Sequence, residues 1–214
     1  MSFERLAPHY RAMEAVLAGG ILQRSRTRFL DAARDRRQAL LLGEGPGRFV
    51  VELLRSNPSV RVVCVEKSPR MILEARTSLA RRGIDASRVQ FEERDALTWI
   101  PPRDTFDLVV THYFLDCFRC EELGSLIPRI AEGATRSARW LLADFHRPDC
   151  GWRKWRARII LAAMYAFFRI AAGLSASSLT PPDPFLLEAG FFLAERRFAN
   201  AGLVRSDLWE RDPR

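Results

Sequence analysis

Apolar and polar residues follow each other along this chain in blocks that are typical of alternating strands and helices. Apolar runs short enough for buried strands occupy residues 40–42, 62–65, 106–110 and 140–145, with helix-like segments between them. Such alternation favours a mostly parallel sheet with helices on both faces. Further on, 191–198 and 203–209 are strand-like, and the turn between them contains Asn and Gly, which predicts an antiparallel hairpin.

The same pattern divides a single α/β domain of 214 residues into four parts. Two of the helices have recognisable ends: one spans about Arg48–Ser56, and another begins at Pro69 behind a Ser68 cap and stops at Gly83. The parts are a helical N-terminal cap (1–37, two helices broken near Gly19-Gly20), a core (38–145), a helical insertion (151–178) and a C-terminal helix with a β-hairpin (179–214).

The first strand ends in a glycine-rich turn, Gly43-Glu44-Gly45-Pro46-Gly47. Glycines accept positive φ and let a ligand approach the backbone. The second strand ends in Glu66, where an acid can accept hydrogen bonds from a ribose diol. Together these features indicate a ligand that contains a nucleoside. The dinucleotide fingerprint fails because Arg48 stands where its third glycine belongs, and the chain has no P-loop motif.

The Gly-x-Gly-x-Gly spacing resembles the first motif of class I S-adenosylmethionine-dependent methyltransferases, and the similarity continues from about Leu40 to Trp209. The segments that resemble the later motifs and strands of that family are Val65–Met71, Phe91–Ala96, Phe106–Val110 and Trp140–Phe145. The resemblance implies a Rossmann-like, seven-stranded, mostly parallel sheet with an antiparallel last strand. It also implies S-adenosylmethionine as cofactor and S-adenosylhomocysteine as product.

By the same resemblance, Glu66 would hold the ribose hydroxyls and Asp95 would receive the adenine amino group. The full set of expected cofactor-binding residues is Gly43, Glu44, Gly45, Gly47, Glu66, Lys67, Asp95, Ala96 and Thr111. Those at strand ends should converge, because ligands in such sheets bind outside the carboxyl ends of the strands. One departure is Leu41, which replaces the acid that commonly holds the amino group of the methionine moiety. Glu44 is a candidate substitute.

Methyl transfer needs a base only when the acceptor must lose a proton. The candidates follow the fourth and fifth strands: His112, Tyr113, Asp116, Asp144 and His146. A neutral imidazole at His112 would suit proton transfer near neutral pH, although a role in the cofactor wall or as a helix cap is an equal alternative. In the N-terminal segment, Tyr10 could reach the site, and His9 is expected at the surface.

The insertion contains ten consecutive apolar residues, 159–168, which is about half the length needed to span a bilayer. One interpretation is a buried helix over the substrate side of the sheet. The other is a lid or interfacial helix with Trp and Arg at its edge, so that residues 152–172 would make peripheral membrane contact. Both favour a hydrophobic small molecule as acceptor.

The charge distribution and the cysteine spacing limit the partners and metals that this protein is expected to bind. The chain has 34 basic and 26 acidic residues, but only Lys67 and Lys154 are lysines, so the excess is an arginine bias spread over all segments. The densest arginine cluster, between Arg24 and Arg37, is predicted to be a solvated helix face. No metal site is expected, since the Cys117-x-x-Cys120 pair lacks further ligands. Residues 1–17 do not resemble a signal peptide, and a cytoplasmic location is predicted.

The sequence therefore predicts methyl transfer from S-adenosylmethionine to a small, hydrophobic or lipid-like acceptor. Alternatives are an RNA methyltransferase, an aminopropyltransferase-like enzyme that uses decarboxylated cofactor, and a non-catalytic cofactor-binding module. RNA is disfavoured because the Asn/Asp-Pro-Pro-Tyr motif of nucleobase amino-methylation is absent after the fourth strand. The target atom and the oligomeric state stay open.

Overall fold

The computed structural model describes residues 20–173, 176 and 178–211, and within them a seven-stranded sheet flanked by helices. The strands are β1 (Gln38–Leu42), β2 (Arg61–Glu66), β3 (Val89–Glu93), β4 (Phe106–His112), β5 (Ala134–Phe145), β6 (Phe191–Ala199) and β7 (Val204–Arg211). The α-helices are α1 (Ile21–Arg26), α2 (Arg48–Ser56), α3 (Pro69–Arg81), α4 (Cys120–Gly133), α5 (Gly151–Ala172) and α6 (Asp183–Glu188).

The sheet order is β3-β2-β1-β4-β5-β7-β6, and β7 runs antiparallel to both of its neighbours. The first five strands are parallel to one another. This confirms the predicted fold class, including the hairpin. Strand β1 lies between β2 and β4, and the order in which strands are added to the sheet reverses at this point. The carboxyl ends of these strands therefore border a crevice.

Each face of the sheet buries its own apolar core, because successive side chains of a strand point to opposite faces. Along β1, Leu40 and Leu42 pack with Trp140 and Phe106 on one face, whereas Leu41 packs with α2 on the other. Leu41 is completely buried there. It therefore cannot reach the cavity described below, consistent with the missing acid at this position.

Local chemistry sets the helix ends in the core. The Ser68 side chain accepts a hydrogen bond from the Met71 backbone N–H at 3.3 Å, and Pro69 occupies the first turn of α3, as the sequence predicts. Helix α2 spans the predicted residues and begins after Gly47, which adopts φ 79°. A Cβ at Gly47 would lie 2.9 Å from the Ala75 Cα, so glycine is required where the start of α2 crosses α3.

The sequence predicts two N-terminal helices broken near Gly19-Gly20, and the first of them lies outside the described residues. In place of the second, the structure has α1 and a 3₁₀ turn at Leu30–Ala33. Helix α1 ends at Thr27, whose hydroxyl donates to the Gln23 carbonyl at 3.1 Å and competes with continued helix. Tyr10 and His9 lie outside the described residues.

The C-terminal part is joined by buried ion pairs. Arg196 on β6 donates to Asp207 on β7 through Nε and Nη2, at 2.7 and 2.8 Å. Asp183, at the start of α6, accepts from Arg196 at 2.6 Å and from Arg205 at 2.7 Å. This network fixes α6 to the hairpin, and Asp207 is fully buried within it.

Candidate functional site

A cavity of about 500 Å³ opens at the carboxyl ends of β1, β2 and β4. The loops after these strands and after β3 line it, and most of the predicted cofactor residues come together there. The lining residues among them are Gly43, Glu44, Gly45, Glu66, Lys67, Asp95 and Ala96. The convergence follows from the parallel register of the strands, which brings their ends to one edge of the sheet.

The glycine turn leaves room for a ligand at one position in particular. Gly45 has φ 63°, a left-handed conformation that side chains other than glycine seldom adopt. A Cβ built there would meet no atom within 4 Å, so the backbone of Gly45 borders open space. This is the geometry that lets a ligand lie directly against the main chain.

Glu66 connects the ends of β1 and β2. Its Oε1 accepts the Ser68 N–H at 2.9 Å, and its Oε2 accepts the Gly45 N–H at 3.2 Å. Burial raises the pKa of this carboxyl group despite these hydrogen bonds. A carboxylate offers about four lone-pair positions, so both oxygens retain capacity to accept from a ligand in the cavity.

Asp95 lies across the cavity end from Glu66 and pairs with Lys67, whose Nζ is 2.7 Å from Oδ2. Its Oδ1 accepts the Leu97 N–H at 3.0 Å. Burial raises the pKa of Asp95, but the hydrogen bonds from Lys67 and Leu97 and the charge of Lys67 outweigh it, so the net shift is downward. Asp95 is therefore an ionised acceptor at neutral pH.

The Glu44 side chain caps the start of α2 rather than projecting freely from the glycine turn. Its Oε1 accepts the Phe49 and Val50 N–H groups at 2.6 and 3.0 Å, which satisfies the start of α2. Burial raises the pKa of Glu44 to about 7, while the two backbone hydrogen bonds and the charge of Arg26 oppose the shift. A role of Glu44 toward a ligand amino group stays a prediction.

Another part of the cavity wall is aromatic, and the Phe114 ring lies directly against Gly43. Tyr113, Phe114, Cys117 and Phe118 line it, and the Phe114 and Phe118 rings meet edge to face at 4.9 Å. Tyr113 adopts φ 54°, which is unusual for a residue with a side chain. Its hydroxyl hydrogen-bonds Ser25 on α1, and its ring packs on Phe145 at 5.3 Å. This part of the cavity wall suits an apolar, planar ligand.

His112 lines the cavity as a buried, neutral imidazole. Its ring meets Phe49 edge to face at 4.5 Å, and its Nδ1 has no hydrogen-bond partner in the described part of the chain. Burial and the charge of Arg26 lower the pKa of His112 well below its usual range. Its geometry fits a hydrogen-bond acceptor in the cavity wall, whereas its lowered pKa weakens it as a proton acceptor.

We expect the His112 imidazole to become protonated only well below the ordinary histidine pKa, because charging it would place a cation in a buried site beside Arg26. The measurement is the NMR titration of its ring Cε1–H signal, assigned by its loss in His112→Gln. A titration of that signal near the ordinary histidine value of about 6.5 would contradict the expectation.

Five predicted residues do not line the cavity: Gly47, Thr111, Asp116, Asp144 and His146. The Thr111 hydroxyl is buried and accepts the Trp140 indole N–H at 2.8 Å. His146 hydrogen-bonds the Gly202 carbonyl through Nδ1 at 2.9 Å and packs on Phe198, so it supports the turn of the hairpin. Asp116 lies behind Cys117. Side chains at strand ends alternate in direction or turn inward. Position along the chain therefore did not reveal which of these residues line the cavity.

Asp116 and Asp144 form a buried acid pair behind the aromatic part of the cavity wall. The Asp116 N–H donates to Asp144 Oδ2 at 3.1 Å, and the Tyr165 hydroxyl donates to the Asp116 carbonyl at 3.0 Å. Burial raises the pKa of Asp116 to about 6. Burial and the neighbouring Asp116 raise the pKa of Asp144 well above its usual range, against the opposing charge of Arg205.

Replacing Asp116 by Asn is expected to flatten the pH dependence of stability. The folded carboxyl holds its proton to about pH 6 and the unfolded one only to about pH 4, so stability falls as the pH rises between these values. The loss of unfolding free energy between pH 4 and 8 should be smaller by about 2–3 kcal/mol in the variant than in the wild type. Urea titrations at both pH values measure it. The exposed Asp149→Asn serves as control, and an equal loss in wild type and Asp116→Asn would contradict the assignment.

Arg26 is a site residue that the sequence analysis missed. It lies in the arginine cluster predicted to be solvated, yet it is only 7% exposed and lines the cavity. Its guanidinium stands 4.7 Å from the centre of the Tyr113 ring. The available signal was its position four residues after the buried Leu22, which places both on one face of α1. Arg24, Arg28, Arg34 and Arg37 are exposed, as predicted for the cluster.

A sheet with this strand order and a reversed β7, with a glycine turn after β1 and acids after β2 and β3, defines the class I methyltransferase fold. A family model described as a methyltransferase domain matches residues 39–135. This match and the fold confirm the resemblance to class I S-adenosylmethionine-dependent methyltransferases that is seen in the sequence. None of the curated protein sequences matches the chain.

Solved structures agree on the fold. The mitomycin 7-O-methyltransferase MmcR superposes with a TM-score of 0.70 at 21% identity, covering 99% of this chain and 61% of that one. The apo S-adenosylmethionine-dependent methyltransferase SibL gives 0.68 at 21%, with 96% and 58% covered. The Burkholderia thailandensis 1,6-didemethyltoxoflavin-N1-methyltransferase, solved with its substrate and S-adenosylhomocysteine, gives 0.65 at 18%, with 97% and 85% covered. The chain thus spans about three fifths of the first two structures.

Proposed function

We propose that this protein transfers a methyl group from S-adenosylmethionine to a small, hydrophobic acceptor. The observation that carries the proposal is one cavity that is lined by two polar residues, Glu66 and Asp95, and by two aromatic rings, Phe114 and Phe118. The polar residues suit a nucleoside, and the aromatic rings suit an apolar ring. The neighbouring structures named for small-molecule methyltransferases support the same class of acceptor.

The polar residues of the cavity wall fit the cofactor. The lone pairs of the Glu66 carboxylate would accept the ribose hydroxyls, and the ionised Asp95 would accept the adenine amino group. Gly45 offers the open backbone along which the nucleoside would lie. All three occupy the positions that the family motifs assign to these contacts.

Arg26 would hold the carboxylate of the methionine moiety. Asp95 follows β3 and Tyr113 follows β4, so β2 and β1 separate Asp95 from the Arg26–Tyr113 contact. Arg26 is buried in the cavity wall, and its charge acts on Glu44 and His112. A buried guanidinium is suited to bind a carboxylate through paired hydrogen bonds.

The bound cofactor supplies an activated methyl group on a sulfonium centre. The protein contributes position and exclusion of water: Phe114 and Phe118 hold the acceptor beside the cofactor, and Tyr113 closes the wall beside Arg26. His112 would accept a hydrogen bond from an acceptor hydroxyl or amine without itself being charged. Its orienting role is the one that its lowered pKa permits.

Calorimetry with S-adenosylmethionine, its decarboxylated form and NADH tests the cofactor assignment. We expect micromolar binding of S-adenosylmethionine and much weaker binding of NADH. Arg26→Met should lose most of the preference for S-adenosylmethionine over the decarboxylated form, because only the former has the carboxylate. The exposed Arg28→Met is the matched control. Binding of NADH with equal or higher affinity would overturn the proposal.

Formation of S-adenosylhomocysteine with a panel of acceptors tests the reaction. We expect turnover with aromatic hydroxyl or amine compounds and none with an RNA oligonucleotide. Phe118→Ala should raise KM for such an acceptor while the cofactor affinity is retained, since Phe118 belongs to the aromatic part of the cavity wall. Tight cofactor binding without turnover of any acceptor would indicate a non-catalytic module instead.

A further inference from the structure

Helix α5 has one buried face and one exposed apolar face. Ala157, Leu161 and Tyr165 are at most 5% exposed and pack with Leu203 and Ala176. On the rest of the helix, Trp152 and Trp155 are 65% and 66% exposed, and Ile159 and Phe167 are 48% and 44% exposed. Exposed apolar side chains that form one surface mark a site of contact with a protein or a membrane.

The exposed face is continuous along the helix. Between Ile159 and Phe167 it consists of alanines, at 162, 163 and 166, which are also exposed. No acidic residue occurs in the 22 residues of α5. The charged residues of α5 are all basic: Arg153, Lys154, Arg158 and Arg169 are exposed, and Arg156 hydrogen-bonds Asn200.

This combination matches the surface of an anionic bilayer. Tryptophan favours the boundary between acyl chains and headgroups, and arginine and lysine attract anionic headgroups. The helix is about 33 Å long, enough to lie flat as an anchor. Among the described residues, no helix is long and apolar enough to cross a bilayer.

The helix also lies beside the cavity. Gly173, which ends α5, is one of the cavity residues, and Cys117 of the aromatic part of the wall packs against the buried face of α5. A surface that holds α5 would therefore lie next to this part of the cavity wall. An acceptor dissolved in that surface would have a short path to the site.

We propose that α5 is an in-plane anchor that docks the protein on an anionic lipid surface through Trp152, Trp155, Ile159 and Phe167. The apolar face enters the headgroup region, and the exposed basic residues of α5 pair with lipid phosphates. The anchor does not depend on the identity of the methyl acceptor, so lipid binding and methyl transfer can be tested separately.

Co-sedimentation with vesicles tests the anchor. We expect the wild type to bind phosphatidylcholine vesicles that contain about one third phosphatidylglycerol, and to bind pure phosphatidylcholine much more weakly. The double substitution Trp152→Ser/Trp155→Ser should weaken binding about tenfold or more. Leu73→Ser/Ile100→Ser is the matched control, since these side chains are 64% and 77% exposed on other surfaces and should not matter.

A second pair of variants tests the charge. Arg158→Glu/Arg169→Glu should abolish the preference for anionic vesicles, whereas Arg28→Glu/Arg81→Glu should leave it in place. Unchanged thermal unfolding and cofactor affinity in each variant would show that the fold is intact. The proposal is overturned if the wild type fails to bind anionic vesicles, or if the tryptophan and control variants bind equally. A dimer in sedimentation velocity that the Trp152→Ser/Trp155→Ser change dissolves would overturn it in favour of a second copy on this face.

Discussion

Replacing Glu66 by alanine is expected to raise the Kd for S-adenosylmethionine by about 100-fold or more. A ribose diol would donate two hydrogen bonds to this buried carboxylate, and each bond to a charged group contributes roughly 1.5–3 kcal/mol. Two such bonds correspond to at least about 3 kcal/mol, or a factor of over one hundred. Calorimetric titration of the variant measures the loss directly.

Glu93 provides the control for that experiment. It pairs with Glu66 in the register of β2 and β3, but it is exposed and is not part of the cavity wall. Glu93→Ala should therefore bind the cofactor like the wild type. Glu66→Gln should fall between, because it retains the shape and an acceptor oxygen without the charge. Equal affinity of wild type and Glu66→Ala would remove Glu66 from the site.

Replacing Asp207 by alanine is expected to lower the free energy of unfolding by about 3–5 kcal/mol. Asp207 is fully buried and accepts two hydrogen bonds from Arg196, with Arg205 Nε 3.6 Å away. Removing one partner of a buried ion pair leaves the remaining charge uncompensated. Asp183 would then be the single carboxylate of this network facing both guanidinium groups. Chemical denaturation followed by circular dichroism measures the change.

The exposed pair of Arg34 and Asp31 gives the comparison. Their atoms are 2.8 Å apart, but the side chains are 67% and 82% exposed. Asp31→Ala should cost less than about 1 kcal/mol, since exposed ion pairs contribute little. Similar losses for Asp207→Ala and Asp31→Ala would mean that the hairpin network does not stabilise the fold as its burial indicates.

The elements of the core could be predicted because their signals are local. Buried-strand runs, the Ser68-Pro69 start of α3 and the glycines before α2 depend on residues adjacent in the chain. The hairpin followed from a short turn between two strand-like segments. The second predicted N-terminal helix is split into α1 and a 3₁₀ turn, since an apolar pattern does not by itself set where a helix ends.

The cavity wall was only partly predictable. Motif spacing located Gly45, Glu66 and Asp95, since family motifs fix positions along the chain. Arg26 was missed because its charge suggested solvent, whereas it is buried against Tyr113. Thr111 and His146 were assigned to the site from their place at strand ends, but one binds the Trp140 indole and the other the Gly202 carbonyl.

By itself the sequence determined the class of fold, the order of strands and helices along the core, and the glycine turn and acids that line the cavity. These features depend on side-chain periodicity and on the positions of glycines and acids, and such signals extend over only a few neighbouring residues. Only the tertiary structure decided that β7 inserts between β5 and β6, that Asp116 and Asp144 share one buried pocket, and that α5 keeps an apolar face exposed. Each of these depends on which distant segments pack together, and burial across such contacts sets both the pKa values and the exposed surface.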